Sequence, residues 1–186
     1  MNEPGRRLVH SSGSLIPLLY VFEVITWRQA QGIVLTAMAV ATVLEGLRLS
    51  GYLDWWVYQA FTREYEKHWP AGYALALVGA SVTVLVFEPL VAVPALLMLT
   101  IGDPVSGILG GNTLEVKEGY VLLVTFGVCL AIAGLLGIPT GAAVLGAGAA
   151  TVADGTTPTV RSYVIDDNLT IPIVAAAAMT VGLALF

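Results

Sequence analysis

The sequence predicts an all-α fold: a polytopic membrane bundle of about seven transmembrane helices plus one interfacial amphipathic helix, in a single integral membrane domain over residues 1–186. Three observations predict it. Of 186 residues, 57% are hydrophobic and 11% charged, against about 25% charged in an average soluble domain. Apolar runs recur along the whole length with short polar gaps, leaving no stretch for a separate soluble domain of ordinary size. Several runs approach the about 20 residues that a helix needs to cross hydrocarbon. Cys129 is the only cysteine and lies in an apolar run, which excludes an intramolecular disulfide and predicts a small buried hydrophobe. Arg6 and Arg7 precede an apolar stretch as in a signal peptide. No small-residue cleavage site follows before the next apolar segment, so this end is expected to stay in the mature protein.

Residues 15–27 are apolar but contain Pro17 and Glu23, enough for a thin or tilted span at most. Residues 32–47 make a better span that closes in L-E-G-L-R-L, where Glu45 and Arg48 stand three apart, share a helix face and are expected to pair. Residues 53–69 repeat apolar side chains at helical spacing, with Arg63, Glu64, Glu66 and Lys67 gathered at the end, and read as the interfacial helix. Its Trp55, Trp56, Tyr58, Tyr65 and Trp69 suit headgroup depth, as an aromatic belt rather than a ligand cage. Residues 70–87, 89–101, 120–138, 140–153 and 169–186 supply the remaining spans. The run 140–153 is almost all small residues, which permits close helix contact and predicts a place inside the bundle.

Charge placement orients these spans. With the N-terminus inside, Arg6, Arg7, Arg48, Arg63, Lys67, Lys117 and Arg161 fall on the cytoplasmic side, and only Arg28 falls outside, as the preference of basic residues for that side requires. Asp103, Glu115, Glu118, Asp154, Asp166 and Asp167 share the inner face with His10 and His68. The net charge of −5 therefore resides mainly there, which disfavours nucleic acid and favours cations.

Polar chemistry collects in residues 101–119, I-G-D-P-V-S-G-I-L-G-G-N-T-L-E-V-K-E-G. Asp103 heads a segment in which Gly107, Gly110 and Gly111 would let backbone N–H groups approach an anion, and Lys117, Glu118 and Gly119 close it. A carboxylate for a divalent cation, amides for phosphate oxygens and a lysine for charge neutralisation match the needs of a nucleotide polyphosphate. A Gly-rich turn with solvated charges between two spans is the competing reading. Three more inner segments carry polar groups: R-R-L-V-H (6–10), A-D-G-T-T-P (153–158) and D-D-N-L-T-I-P (166–172). Asp or Asn at the start of the last span serves as a helix cap, but one cap accounts for one residue of Asp166, Asp167 and Asn168. Asp103, Asp154 and Asp167 at one depth would form a convergent Mg²⁺ site. His10 reads either as an interfacial histidine or as a base.

With these motifs the chain resembles the CTP-dependent lipid-alcohol kinases, the group of dolichol kinase, phytol and farnesol kinase and the fungal diacylglycerol kinase, distantly similar to phosphatidate cytidylyltransferases. The resemblance covers most of the chain. It rests on Arg6, Arg7 and His10; Glu45 and Arg48; Arg63 and Glu66; Gly102, Asp103 and Gly107 in G-D-P-V-S-G; Lys117, Glu118 and Gly119; and Asp167, Asn168 and Pro172. The D-D-N-L-T-I-P motif is the most specific. Two departures stand out: Lys117 directly precedes Glu118 where the family usually inserts one or two residues, and Asp154 stands where related chains often have Glu.

The resemblance implies a kinase that moves the γ-phosphoryl group of CTP to the hydroxyl of a polyprenol, dolichol or other isoprenoid alcohol, or of a diacylglycerol-type lipid. Mg²⁺ would be the cofactor, and CTP, the lipid alcohol and the bilayer the partners, in the cell membrane with a cytoplasmic site. Asp103, Asp167 and His10 would be catalytic; Asp103, Asp154 and Asp167 would ligate the metal. Gly102, Gly107, Gly110, Gly111, Lys117, Glu118, Gly119, Arg6, Arg7, Arg48 and Asn168 would meet the nucleotide. A cytidylyltransferase making a CDP-lipid is the nearest alternative. A cation-coupled transporter is the more distant one, because it would place carboxylates deep within spans, and here Glu23 and Glu88 are the main ones away from the inner face.

Overall fold

The computed structural model describes residues 3–53, 55–56, 58, 62–110, 116–156, 158–160 and 163–186. The architecture is helical. In chain order it runs through α1 (Glu3–Ser12), α2 (Leu15–Val21), α3 (Trp27–Leu49), a 3-10 turn (Glu64–His68), α4 (Gly72–Val86) and α5 (Pro89–Leu97). A π-turn (Met98–Gly102) leads into α6 (Asp103–Gly110), followed by α7 (Gly119–Leu135), α8 (Thr140–Gly155) and α9 (Asp167–Leu185). A two-residue antiparallel ladder, β1 (Thr159–Val160) with β2 (Tyr163–Val164), joins α8 to α9 and pairs Thr159 with Val164.

Among the described residues, three helices are long and apolar enough to cross a membrane: Trp27–Leu49, the continuous Pro89–Gly110 and Asp167–Leu185. At 1.5 Å per residue these reach roughly 30 Å. Gly72–Val86 and Gly119–Leu135 are apolar but shorter. The chain is thus a membrane protein by the length and composition of its helices.

Three boundaries differ from the sequence reading. The segment 15–27 is not one span: α2 has seven residues, about 10 Å, and the chain reverses where Glu23 takes a left-handed φ of 59°. The long helix then starts at Trp27 instead of residue 32, because Thr26 and Gln29 form a reciprocal capping box, Thr26 N donating to Gln29 Oε1 at 2.8 Å and Gln29 N to Thr26 Oγ1 at 3.3 Å. The expected interfacial helix over 53–69 falls partly on residues 54, 57 and 59–61, outside the described set. Its described end is the 3-10 turn, in which Arg63 N donates to Glu66 Oε2 at 2.7 Å.

The core lies where α8 packs between α9 and α7, with α5 against α9, around Met98, Leu99, Cys129, Ile171 and Met179, all buried. Small residues make this contact possible, as expected for the run 140–153. A Cβ added at Gly146 would overlap Met179, and one at Gly182 would stand 2.8 Å from the Cβ of Ala142, so neither interface tolerates a larger side chain. On the opposite side of α9, a Cβ at Gly79 of α4 would come within 2.7 Å of the Leu169 carbonyl. Helix α3 instead leaves most of its span exposed, the face a bilayer would cover.

Candidate active site

The first half of the segment expected to be a Gly-rich loop, through Gly110, is helix. Pro89 to Gly110 is continuous, and Pro104 is accommodated because the turn before it widens. Asp103 N donates five residues back, to the Met98 carbonyl, and Pro104 has no N–H to donate. The Leu99 carbonyl therefore lacks a backbone donor, and His10 Nε2 lies 3.0 Å from it. That pairing makes Nε2 the protonated ring nitrogen. The same Nε2 lies 3.6 Å from Asp103 Oδ2. One turn before it on α1, Arg7 donates to the Gly107 carbonyl at 2.6 Å, and Arg6 is half-buried in the same helix. Helix α1 thus clamps the widened turn on both sides of Asp103.

The glycines serve packing. Gly102 is buried against Cys129 Sγ, Gly107 lies under the Arg7 guanidinium, and Gly110 faces Val121 and the Lys117 stem. Within a helix the amides of Gly107 and Gly110 point along the axis to preceding carbonyls, so they do not form the anion cradle that a loop would offer. Gly111 lies outside the described residues.

Three carboxylates converge. Asp103 at the start of α6, Asp154 in the last turn of α8 and Asp167 at the start of α9 each offer an oxygen, all within 4.8 Å of one another. Asp154 is buried; Asp103 and Asp167 are half-buried. The division of labour in the Asp-Asp-Asn motif is explicit. Asp166 is the helix cap, its Oδ1 accepting from Asn168 N at 3.0 Å and from Asn168 Nδ2 at 2.6 Å, and this leaves Asp167 to the cluster.

Lys117 joins them. Its Nζ donates to Asp154 Oδ1 at 2.7 Å and to Ser106 Oγ at 2.9 Å, while Ser106 Oγ donates to Asp154 Oδ2 at 2.5 Å. The ring is closed and nearly dry, with 11% of the lysine side chain and 1% of the aspartate side chain exposed. The backbone sets it: Lys117 N donates to the Gly155 carbonyl at 3.3 Å, beside Asp154. Ser106 was absent from the expected site. It stands three residues after Asp103, and that spacing shares a face only on a helix, so the loop reading hid it.

The other expected residues sit apart from this ring. Arg48 is engaged by Glu45, with Nε to Oε2 at 2.9 Å and Nη2 to Oε1 at 2.6 Å, and by the Trp69 and Glu66 carbonyls at 2.8 and 3.1 Å. Glu45 also accepts from Ala71 N at 2.7 Å and from the Tyr73 hydroxyl. Beside them Glu66 is buried and accepts from Gly72 N at 3.2 Å. A Cβ added at Gly72 would stand 3.4 Å from Glu66 Oε1, 3.1 Å from Asn168 Nδ2 and 3.7 Å from Asp166 Oδ2. The start of α4 therefore links L-E-G-L-R-L and Glu66 to the Asp-Asp-Asn motif. Burial pushes the Glu66 carboxyl above its ordinary range, although the Arg63 and Gly72 N–H groups pull it back in part. Glu118 and Gly119 are exposed where α7 begins, and Glu118 makes no side-chain cap hydrogen bond.

Three carboxylates with one ammonium leave excess negative charge beside half-buried oxygens, which is a hard-cation donor set. Compared with known proteins, the chain matches no family model, no curated protein and no solved structure.

Proposed function

We propose that this chain is a CTP-dependent kinase that phosphorylates the hydroxyl of a membrane lipid alcohol of the polyprenol or isoprenoid class, at a site on the cytoplasmic side of the cell membrane. The convergence of Asp103, Asp154 and Asp167, with Lys117 bonded to Asp154, is the observation that carries this reading. CTP as donor and a lipid alcohol as acceptor come from the resemblance of the motifs.

The donor set fits Mg²⁺: hard carboxylate oxygens from three elements, close enough to share one ion. Asp103, Asp154 and Asp167 would hold it, and when bound it neutralises phosphate charge. Transfer forms a bond from the lipid oxygen to the γ-phosphorus and breaks the bond to the β–γ bridging oxygen, leaving CDP. The hydroxyl proton goes to a carboxylate, Asp103 or Asp167, the two half-exposed members of the cluster. Lys117 supplies positive charge at the rim of the cluster. Positioning and charge neutralisation are most of what phosphoryl transfer asks of a protein.

The test is purified protein in detergent or liposomes with Mg²⁺, isoprenoid alcohols and CTP labelled at either phosphate. Label from the γ position in the lipid supports the kinase. Label from the α position identifies a cytidylyltransferase instead, and no label from either position in any lipid would overturn the transferase reading.

A further inference from the structure

We propose that Lys117 is an exchangeable arm: it and a divalent cation compete for Asp154, so loading the carboxylate cluster transfers the ammonium to the phosphates of the incoming nucleotide. This rests on the reading of Asp103, Asp154 and Asp167 as a cation site and adds how the site is regulated.

Charge and burial set up the competition. Both oxygens of Asp154 already have donors, Lys117 on Oδ1 at 2.7 Å and Ser106 on Oδ2 at 2.5 Å. The aspartate side chain is 1% exposed, so it cannot turn to solvent to offer another oxygen. A divalent cation within reach of all three carboxylates would also stand close to the lysine Nζ in a nearly dry pocket, where like charges repel strongly. The ammonium must yield, and its flexible four-carbon stem lets it do so at low cost. Ser106 is the pivot. Its hydroxyl accepts from Lys117 at 2.9 Å while donating to Asp154, so the lysine keeps one partner as it leaves the other. Phosphate oxygens arriving with the nucleotide are the natural acceptor for the released charge. The ring thereby couples metal loading to nucleotide capture: the cation is taken up most readily when phosphate is present to receive the lysine.

Manganese binding followed by electron paramagnetic resonance tests this in a double-mutant cycle on the full chain. Lys117→Met should tighten Mn²⁺ binding roughly tenfold, because the competing charge is gone, and should raise the KM for CTP. In an Asp154→Asn background the same Lys117→Met change should alter Mn²⁺ affinity less than twofold, because the shared ligand has been removed. Unchanged or weaker binding in Lys117→Met would overturn the exchange. So would equal tightening in both backgrounds, which a diffuse field effect produces without any shared oxygen. Asp103→Asn separates the two levels: if the wild-type protein binds Mn²⁺ and Asp103→Asn binds it equally well, the cation reading of the cluster itself is wrong. Absence of Mn²⁺ binding to the wild-type protein would overturn both.

Discussion

His10 supplies to Leu99 the hydrogen bond that Pro104 cannot, its Nε2 lying 3.0 Å from the Leu99 carbonyl. The widened turn that carries Asp103 therefore depends on a side chain from the first helix. His10→Ala should cost about 1–3 kcal/mol, the usual penalty for stranding a buried polar group, read as a lowered Tm in detergent. His10→Gln, which keeps an N–H donor, should recover most of the stability and turnover. A drop of roughly a hundredfold or more in His10→Gln with an unchanged Tm would instead mark His10 as the general base.

Asp103→Asn and Asp167→Asn should each lower phosphoryl transfer on the order of a thousandfold or more with the bundle folded, since a lost metal ligand removes several kcal/mol of transition-state stabilisation. Asp166→Ala provides the contrast. It deletes the cap of α9 and should cost about 1 kcal/mol of stability with turnover per folded molecule largely kept. Labelled-CTP kinetics beside thermal melts separate the two classes, and near-normal turnover in Asp167→Asn would remove that residue from the site.

Arg48→Ala should act on stability instead of nucleotide affinity. Its guanidinium holds Glu45 and the Trp69 carbonyl at 2.6 and 2.8 Å, with both side chains under a tenth exposed. Removing it leaves a buried carboxylate short of its partner, a change that typically costs about 3–5 kcal/mol. The Tm should fall steeply while the KM for CTP of the protein that remains folded stays within about twofold. A tenfold rise in KM with an intact melt would return Arg48 to the nucleotide.

Glu66 predicts a pH dependence. Its carboxyl is raised in the fold by burial, so the native state binds the proton more tightly than the unfolded chain. The stabilisation this provides is complete below the ordinary value of 4.5 and is lost as pH rises through the higher folded value. The wild-type Tm should therefore decline as pH rises above 4.5 by more than that of Glu66→Gln, which cannot titrate. Parallel pH profiles in the two proteins would show that Glu66 does not carry this slope.

The sequence by itself determined the membrane class, the packing role of the small-residue helix and the residue types of the site, because hydropathy, side-chain size and charge are local properties. It also marked Asp103, Asp154, Asp167 and Lys117, although they lie in different elements. The start of α3 was misplaced at residue 32, although the T-x-x-Q spacing of Thr26 and Gln29 carried the signal for it. Only tertiary structure decided what these residues do to one another. Spacing along the chain cannot tell that Pro104 strands the Leu99 carbonyl until His10 arrives from another helix, or that Asp166 takes the cap and frees Asp167. Nor can it tell that Ser106 closes a ring with Lys117 and Asp154 while Arg48 is held by Glu45. A polar group's role is set by which donors and acceptors reach it once water has been displaced, and that is a property of the folded arrangement.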